Sequence, residues 1–339
     1  MRNTLLFAFA FLPLTLGADW LVRGAAGLAQ RFGVSPLVVG LTVVAFGTSA
    51  PELVVSALAS LEGRPDVAVG NIMGSTAANV GLIVGIGALI RPIEVHRRVI
   101  VRETPLVIIV LSLVMVLSLN DAVGRLDGVV LVSGWALYLF FLLKWERVGL
   151  FGKTSRAPDP TAPRAGAGPD PDTSRPGAGT DPPTTDAVAT GVWWSLVRVG
   201  LGLPCLTYGA RWLLEGAEGI ARSLAVPEAV IAATMIAVGT SLPELASTLV
   251  AAFRRMSDIA IGNVIGSNVF NLGLVLGTSA LVRPLVLHPT IVVGYVLPAL
   301  AFSVILIPLA LHRGTVRRAA GGLLLLLYLA YIVLVWWFS

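Results

Sequence analysis

The stretch GTSAPEL, Gly47 to Leu53, lies inside an apolar run from Pro36 to Leu61, and GTSLPEL, Gly239 to Leu245, lies inside a second such run. Each places two hydroxyls, a proline and a glutamate where a hydrophobic segment should be unbroken. The two are 192 residues apart, and the same offset matches the chain to itself without gaps from Gly17 to His96. Gly17, Ala18 and Trp20 map onto Gly209, Ala210 and Trp212, and Thr42 maps onto Thr234. Gly70, Asn71, Gly74, Ser75 and Asn79 map onto Gly262, Asn263, Gly266, Ser267 and Asn271, and Arg91, Pro92 and His96 onto Arg283, Pro284 and His288. One register held over that length marks a duplicated unit.

Composition says what the unit is made of. The 339-residue chain is 56% hydrophobic and only 13% charged, with a mean hydropathy of +0.86. Soluble domains carry about 25% charged residues, so this chain lacks the polar surface for water. Apolar runs long enough to span a bilayer as helices fall near residues 4–31, 36–61, 66–90, 99–119, 126–145, 192–223, 228–253, 258–282, 289–311 and 316–338. The expected fold is an all-α membrane protein of ten transmembrane helices. The first run reads as a retained helix and not as a cleaved leader, because it has a partner in the second half.

Between the fifth and sixth runs, Lys153 to Asp186 is rich in Pro, Gly, Asp and Thr and nearly free of large apolar side chains. Such a segment cannot offset its ordering entropy, so a disordered linker is expected. Its aspartates lack the spacing of a calcium-binding EF-hand loop. The chain therefore divides into a first five-helix repeat, 1–145, with its polar motif at 40–85; a linker, 146–191; and a second repeat, 192–339, with its motif at 232–277. Five is odd, so the second repeat enters the membrane from the opposite side. Inverted repeats are a transporter architecture, with the substrate site at their interface near the midplane.

Charge orients the whole. Of 24 Lys and Arg, 17 fall on one side of this plan and 5 on the other, with Arg23 and Arg211 inside helices. The positive-inside rule then puts both termini outside and the linker in the cytoplasm; the expected location is the cell's inner (plasma) membrane. The net charge of +5 does not suggest nucleic acid, since no basic cluster interleaved with aromatics is present; the arginines read as setting topology. Cys205 is the single cysteine, which excludes an intramolecular disulfide, and it reads as a small buried apolar residue.

A carboxylate at the bilayer centre costs about 2.5–3.5 kcal/mol and usually serves a function. Glu52 and Glu244 are mid-span. On a helix Thr48 and Ser49 share the face of Glu52, as Thr240 and Ser241 share that of Glu244. Pro51 has no N–H for the carbonyl of Gly47 and kinks the helix, which is expected to free carbonyls from Ala45 to Thr48 and from Ala237 to Thr240. In the following helices Ser75 and Asn79 are one turn apart, as are Ser267 and Asn271. The donor set is all oxygen, which suits hard cations such as calcium; without His or Cys it does not suit zinc or copper.

At these residues the sequence resembles the sodium/calcium exchanger family of the cation/calcium antiporter superfamily. GTSAPEL with GNIMGSTAANVGLIVG is similar to its first alpha-repeat and GTSLPEL with GNVIGSNVFNLGLVLG to its second. The resemblance implies antiport of Ca2+ and Na+ by alternating access, with no cofactor and no enzymatic step, the first and sixth helices sliding past an eight-helix core. It implies that Glu52 and Glu244 hold calcium with the carbonyls of Thr48 and Thr240. Ala45, Ser49, Ser75, Ala237, Ser241 and Ser267 would form flanking sodium sites, and Asn79 and Asn271 would border the centre. One departure stands out: many relatives have Asp where this chain has Asn271. Two carboxylates neutralise one Ca2+ or two monovalent ions, so the expected coupling differs from three sodium, and a proton remains an alternative partner.

A channel needs a continuous pore, usually from several subunits, whereas two broken helices can close this site within a monomer. Asp19 and Arg23 are four apart, and their images Arg211 and Glu215 repeat the pair with signs exchanged. They read as i,i+4 ion pairs, with a latch on the sliding helices as the functional counterpart. His96 and His288 read as solvated loop residues.

Overall fold

The computed structural model describes residues 2–117, 122–147, 191–224, 239–311 and 314–338. The expected linker, apart from its edges, lies outside these residues, as do Thr234 and Ala237. The helices are α1 (Arg2–Phe32), α2 (Pro36–Thr48), α3 (Ala50–Leu61), α4 (Pro65–Ile90), α5 (Val99–Leu117) and α6 (Arg125–Arg147). After the linker come α7 (Val192–Ser223), α8 (Leu242–Phe253), α9 (Ser257–Val282), α10 (Pro289–Leu311) and α11 (Arg318–Phe338). Among the described residues seven helices are long and apolar enough to cross a membrane, and α2 with α3 makes an eighth span bent by 47°. The long α7 carries Arg211, Glu215, Glu218 and Arg222 in its second half, which lowers its apolarity. Cys205 on α7 is half-buried, not buried as expected, because one flank of that helix is uncovered.

The duplication is visible in the element boundaries. α3 and α8 begin and end 192 residues apart, and so do α4 and α9. Glu62 caps the end of α3 and is followed by Gly63 at φ 74°; Arg254 caps the end of α8 and is followed by Arg255 at φ 61°. Both helices thus stop in a left-handed turn, which glycine adopts freely and arginine does not. Four short strands join the halves crosswise. Strand β1 (Ile93–Glu94) pairs with β4 (Thr315–Val316), and β2 (Ala122–Val123) pairs with β3 (Leu285–Val286).

Burial separates centre from rim. In the most apolar windows 89% of α9 and 78% of α4 are buried, against 17% for α6 and α11. The centre is the motif-bearing pair, and it packs tightly because it carries glycine. A Cβ on Gly262 of α9 would lie 2.8 Å from the carbonyl oxygen of Leu37 and 3.1 Å from the Cα of Gly40. α2 therefore crosses α9 backbone against backbone, the close approach that small residues permit in membranes.

α1 and α7 form a second, antiparallel pair. A Cβ on Gly202 would sit 2.8 Å from the oxygen of Gly17, and one on Gly209 would sit 2.6 Å from the nitrogen of Leu14. Gly24 and Gly216 continue the seam toward the two ends.

Candidate cation site

The helix break decides the site's geometry. Ser49 has φ −89° and ψ 6°, and Ser241 has φ −85° and ψ 4°, so both halves interrupt the helix at the same residue. Pro51 and Pro243 fall in the first turn of the helix that restarts, where a missing N–H costs nothing. The break therefore precedes the proline instead of being centred on it. One expectation is corrected: the carbonyl of Ala45 is not freed, because Ser49 N still closes the turn onto it at 3.0 Å. Pro51 offers no N–H to the carbonyl of Gly47.

Restarting the helix at Ala50 and Leu242 puts Glu52 and Glu244 in first turns. Helix N-termini carry partial positive charge and favour a carboxylate there. Both acids are fully buried, at 0% and 1% exposure. Ser49 Oγ donates to Oε1 of Glu244 at 2.6 Å, which brings the acid of the second half against the break of the first.

A tier of amides holds the two breaks in place, and it is reciprocal. Thr48 Oγ1 donates to Asn263 Oδ1 at 3.1 Å, and Thr240 Oγ1 donates to Asn71 Oδ1 at 3.0 Å. Adding 192 to one bond and subtracting it on the other side gives the second bond. Asn71 Nδ2 donates to Ser56 Oγ at 3.0 Å, and Asn263 Nδ2 donates to Thr248 Oγ1 at 3.0 Å and Ser247 Oγ at 2.9 Å. With their hydroxyls held from behind, Thr48 and Thr240 are fixed in orientation. Neither Asn71 nor Asn263 was expected at the site, although both lie inside the quoted motifs; their exact match across the repeat was the available signal.

Ser75 lies beside Thr240, the hydroxyls 3.4 Å apart. Asn79 Nδ2 donates to Asn268 Oδ1 at 2.8 Å; Asn268, whose repeat image is Thr76, was also missed. A π-helical turn begins at Asn79 in α4 and another at Asn271 in α9, the kind of bulge that recurs at functional sites.

The remaining polar atoms share a property. Both oxygens of Glu52, Oε2 of Glu244, the hydroxyls of Ser241 and Ser267, Oδ1 of Asn79 and both amide atoms of Asn271 are buried without a hydrogen-bonding partner. Buried polar groups are ordinarily satisfied. Apart from the Asn271 amide nitrogen, every one of these atoms has lone pairs to offer, and three belong to carboxylates, so the set suits a cation stripped of water. Among the described residues no three His, Cys, Asp or Glu side chains cluster, so carboxylates alone do not make a metal centre here. Of the residues expected from sequence, all but Ala237 are described, and Thr48, Ser49, Glu52, Ser75, Asn79, Thr240, Ser241, Glu244, Ser267 and Asn271 lie along the breaks of the two halves and the two helices packed behind them.

The family described as sodium/calcium exchanger protein matches residues 2–144 and 194–337. The chain is 32% identical to the sodium/calcium exchanger MaX1 of Methanosarcina acetivorans over 99% of both chains, and 33% identical to the inner membrane protein YrbG of Escherichia coli over 99% of this chain and 97% of that one. In structure it is similar to the sodium-calcium exchanger NCX_Mj, soaked with Na+ and Ca2+, at a TM-score of 0.77 and 30% identity over 98% of both chains.

Proposed function

The chain belongs to the sodium/calcium exchanger protein family, and from that membership we propose that it is a secondary antiporter exporting Ca2+ in exchange for Na+ by alternating access. The observation that carries this reading is the contact between halves at the breaks: Glu244 reaches Ser49 while Glu52 keeps both oxygens unpartnered. Two buried carboxylates from opposite halves, flanked by hydroxyls and amides, are a hard-cation set. In this reading Glu52 and Glu244 with the carbonyls of Thr48 and Thr240 bind Ca2+. Ala45, Ser49, Ser75, Ala237, Ser241 and Ser267 serve Na+, and Asn79 and Asn271 border both.

The same reading makes the chain ten transmembrane helices in two inverted repeats, 1–145 and 192–339, both termini outside and the 146–191 linker in the cytoplasm. The reciprocal bonds between halves support it, since crosswise pairs related by one offset are what a pseudo-twofold axis produces. One chain contains both breaks, so the functional unit is a monomer. The test is Ca2+ flux into proteoliposomes under an imposed Na+ gradient, set against an imposed pH gradient. The expected result is flux that follows Na+ and disappears in Glu52→Gln and in Glu244→Gln. Flux that follows protons makes the chain a calcium/proton antiporter, and retained flux in both variants overturns the site.

A further inference from the structure

The internal offset exposes a second reciprocity, at a charged contact away from the cation site. Asp19 of α1 is paired with Arg23 at 2.9 Å and also with Arg254, the residue that caps α8. Subtracting 192 from Arg254 gives Glu62, the cap of α3, and adding 192 to Asp19 gives Arg211 of α7. The image of the Asp19–Arg254 pair is therefore Arg211–Glu62. Each charge is reversed, and the two are again opposite in sign.

In this structure the image pair is not made. Arg211 is 71% exposed and turns to Glu215 on its own helix at 2.7 Å. Glu62 sits 3.8 Å from Arg64, both largely exposed. The packing differs in the same sense. α1 lies along α8, whereas their counterparts α7 and α3 make no more than grazing contact. Glu62 also ends a helix, where the partial charge is negative and a carboxylate is disfavoured; a cation from α7 would relieve it. Arg254, by contrast, is favoured at its helix end.

We propose that Asp19–Arg254 and Arg211–Glu62 are alternating latches: each closes one face of the molecule by tying the α1–α7 pair to the end of a broken helix, and the two are made in opposite states of the transport cycle. The structure holds the first latch closed and the second open. This rests on the alternating-access reading above. These four are positioning residues and touch no ion. The closed pair keeps part of its surface in solvent, Arg254 at 30% and Asp19 at 23% side-chain exposure, and a pair that stays partly solvated is weak enough to be made and broken in every cycle.

The test uses the full chain in proteoliposomes, in a Cys205→Ser background, with a short bis-maleimide cross-linker that alkylates two cysteine thiols. One variant carries Asp19→Cys with Arg254→Cys, a second carries Glu62→Cys with Arg211→Cys, and a third carries all four. Each pair is expected to cross-link alone, in proportions that shift oppositely when Na+ replaces Ca2+. In the third variant no molecule should carry both links. Finding both links in one molecule, or no Glu62–Arg211 link under any ion condition, overturns the proposal.

Neutralisation supplies an independent measure. Asp19→Asn and Glu62→Gln should move the apparent Ca2+ affinity at a given face in opposite directions by about threefold, because apparent affinity scales with the population of the competent state. Shifts of the same sign, or none, also overturn it. If a neutralised variant fails to fold, the exchanged pair Glu62→Arg with Arg211→Glu must retain transport for the latch to stand. Absence of Ca2+/Na+ exchange in the unmodified chain would count against the exchanger reading, while the cross-linking result would still decide the latch.

Discussion

The hydroxyl of Ser49 donates to Oε1 of Glu244 at 2.6 Å, across the boundary between the two halves of the chain. It is the single hydrogen bond that either acid's carboxylate makes within the described residues. A hydrogen bond to a charged group contributes about 1.5–3 kcal/mol. Ser49→Ala leaves that oxygen of Glu244 without its partner and should therefore destabilise the ion-free protein by about that amount, read as a lower melting temperature. Thr42→Ala, which removes a bond to the Val38 carbonyl one turn back on the same helix, should change it little.

Glu52 has the opposite circumstance. Its two oxygens are buried with no partner in the protein, so without a cation the carboxylate is a cost to folding. Glu52→Gln removes the charge and keeps the shape. In thermal melts of the purified protein without divalent ions, the variant should be as stable as the parent or more so. The parent's upward shift on adding Ca2+, about 2.7 kcal/mol at a hundred times the dissociation constant, should vanish. A variant that melts lower yet still responds to Ca2+ would place the ion elsewhere.

The seam between α1 and α7 makes a packing prediction. A methyl at Gly202 would press on the oxygen of Gly17 at 2.8 Å and the nitrogen of Leu21 at 2.9 Å, and backbone atoms cannot swing aside. Gly200, two residues earlier, has nothing within 4 Å of where its Cβ would stand. Gly202→Ala should cost about 1–3 kcal/mol as overpacking and slow transport. Gly200→Ala should leave both unchanged. Equal melting temperatures for the two variants would show that the seam is looser than its geometry.

Much of this was legible in the sequence, and the reasons are physical. The offset of 192 and the polar interruptions are properties of the chain's order, so the duplicated unit, its helix ends and the paired acids could be read directly. The position of the break could not. It sits at Ser49 and Ser241, because a helix that restarts one residue later accommodates proline without loss, and only the backbone reveals that choice. Asn71 and Asn263 were hidden because their role is to hold a threonine of the opposite half, which requires tertiary structure. The four-residue spacing predicts an ion pair of Asp19 with Arg23, and that pair is present. Arg254 beside it is contributed by a helix end more than two hundred residues away.

His96 reads as a loop residue, and the structure adds a partner: Nε2 lies 2.9 Å from Oδ1 of Asp258, at the start of α9. That hydrogen bond chiefly holds the imidazole above its usual range, the charges of Asp258 and Glu94 adding to it and burial opposing it. The folded chain thus binds this proton more tightly than the unfolded chain. The pair's stabilisation is full below the ordinary histidine value of about 6.5 and fades as pH rises through the raised value. With 63% of the His96 side chain exposed, the effect is at most about 1 kcal/mol. His96→Gln should lower the melting temperature at pH 5.5, an acid point about one unit below that value, and not in mildly alkaline buffer.

Charge counting at the centre gives the last prediction. Glu52 and Glu244 are buried among neutral groups, and position 271 is an asparagine whose amide makes no hydrogen bond. With one Ca2+ the two carboxylates are neutralised, and with two Na+ they are neutralised again. A third Na+ would leave a charge of +1 enclosed in a medium of low dielectric, several kcal/mol uphill. Both occluded forms are then neutral, and the exchange carries no net charge. Ca2+ flux driven by a Na+ gradient should be indifferent to a membrane potential imposed with K+ and valinomycin, and no transport current should be recorded. Asn271→Asp supplies a third carboxylate 192 residues from the amide of Asn79. It should make the flux potential-dependent, because the Ca2+-loaded site then keeps a net charge of −1 and a third Na+ is neutralised. A parent chain whose reversal potential follows three Na+ per Ca2+ would mean that the site tolerates the uncompensated ion or draws a further ligand charge from residues beyond those named.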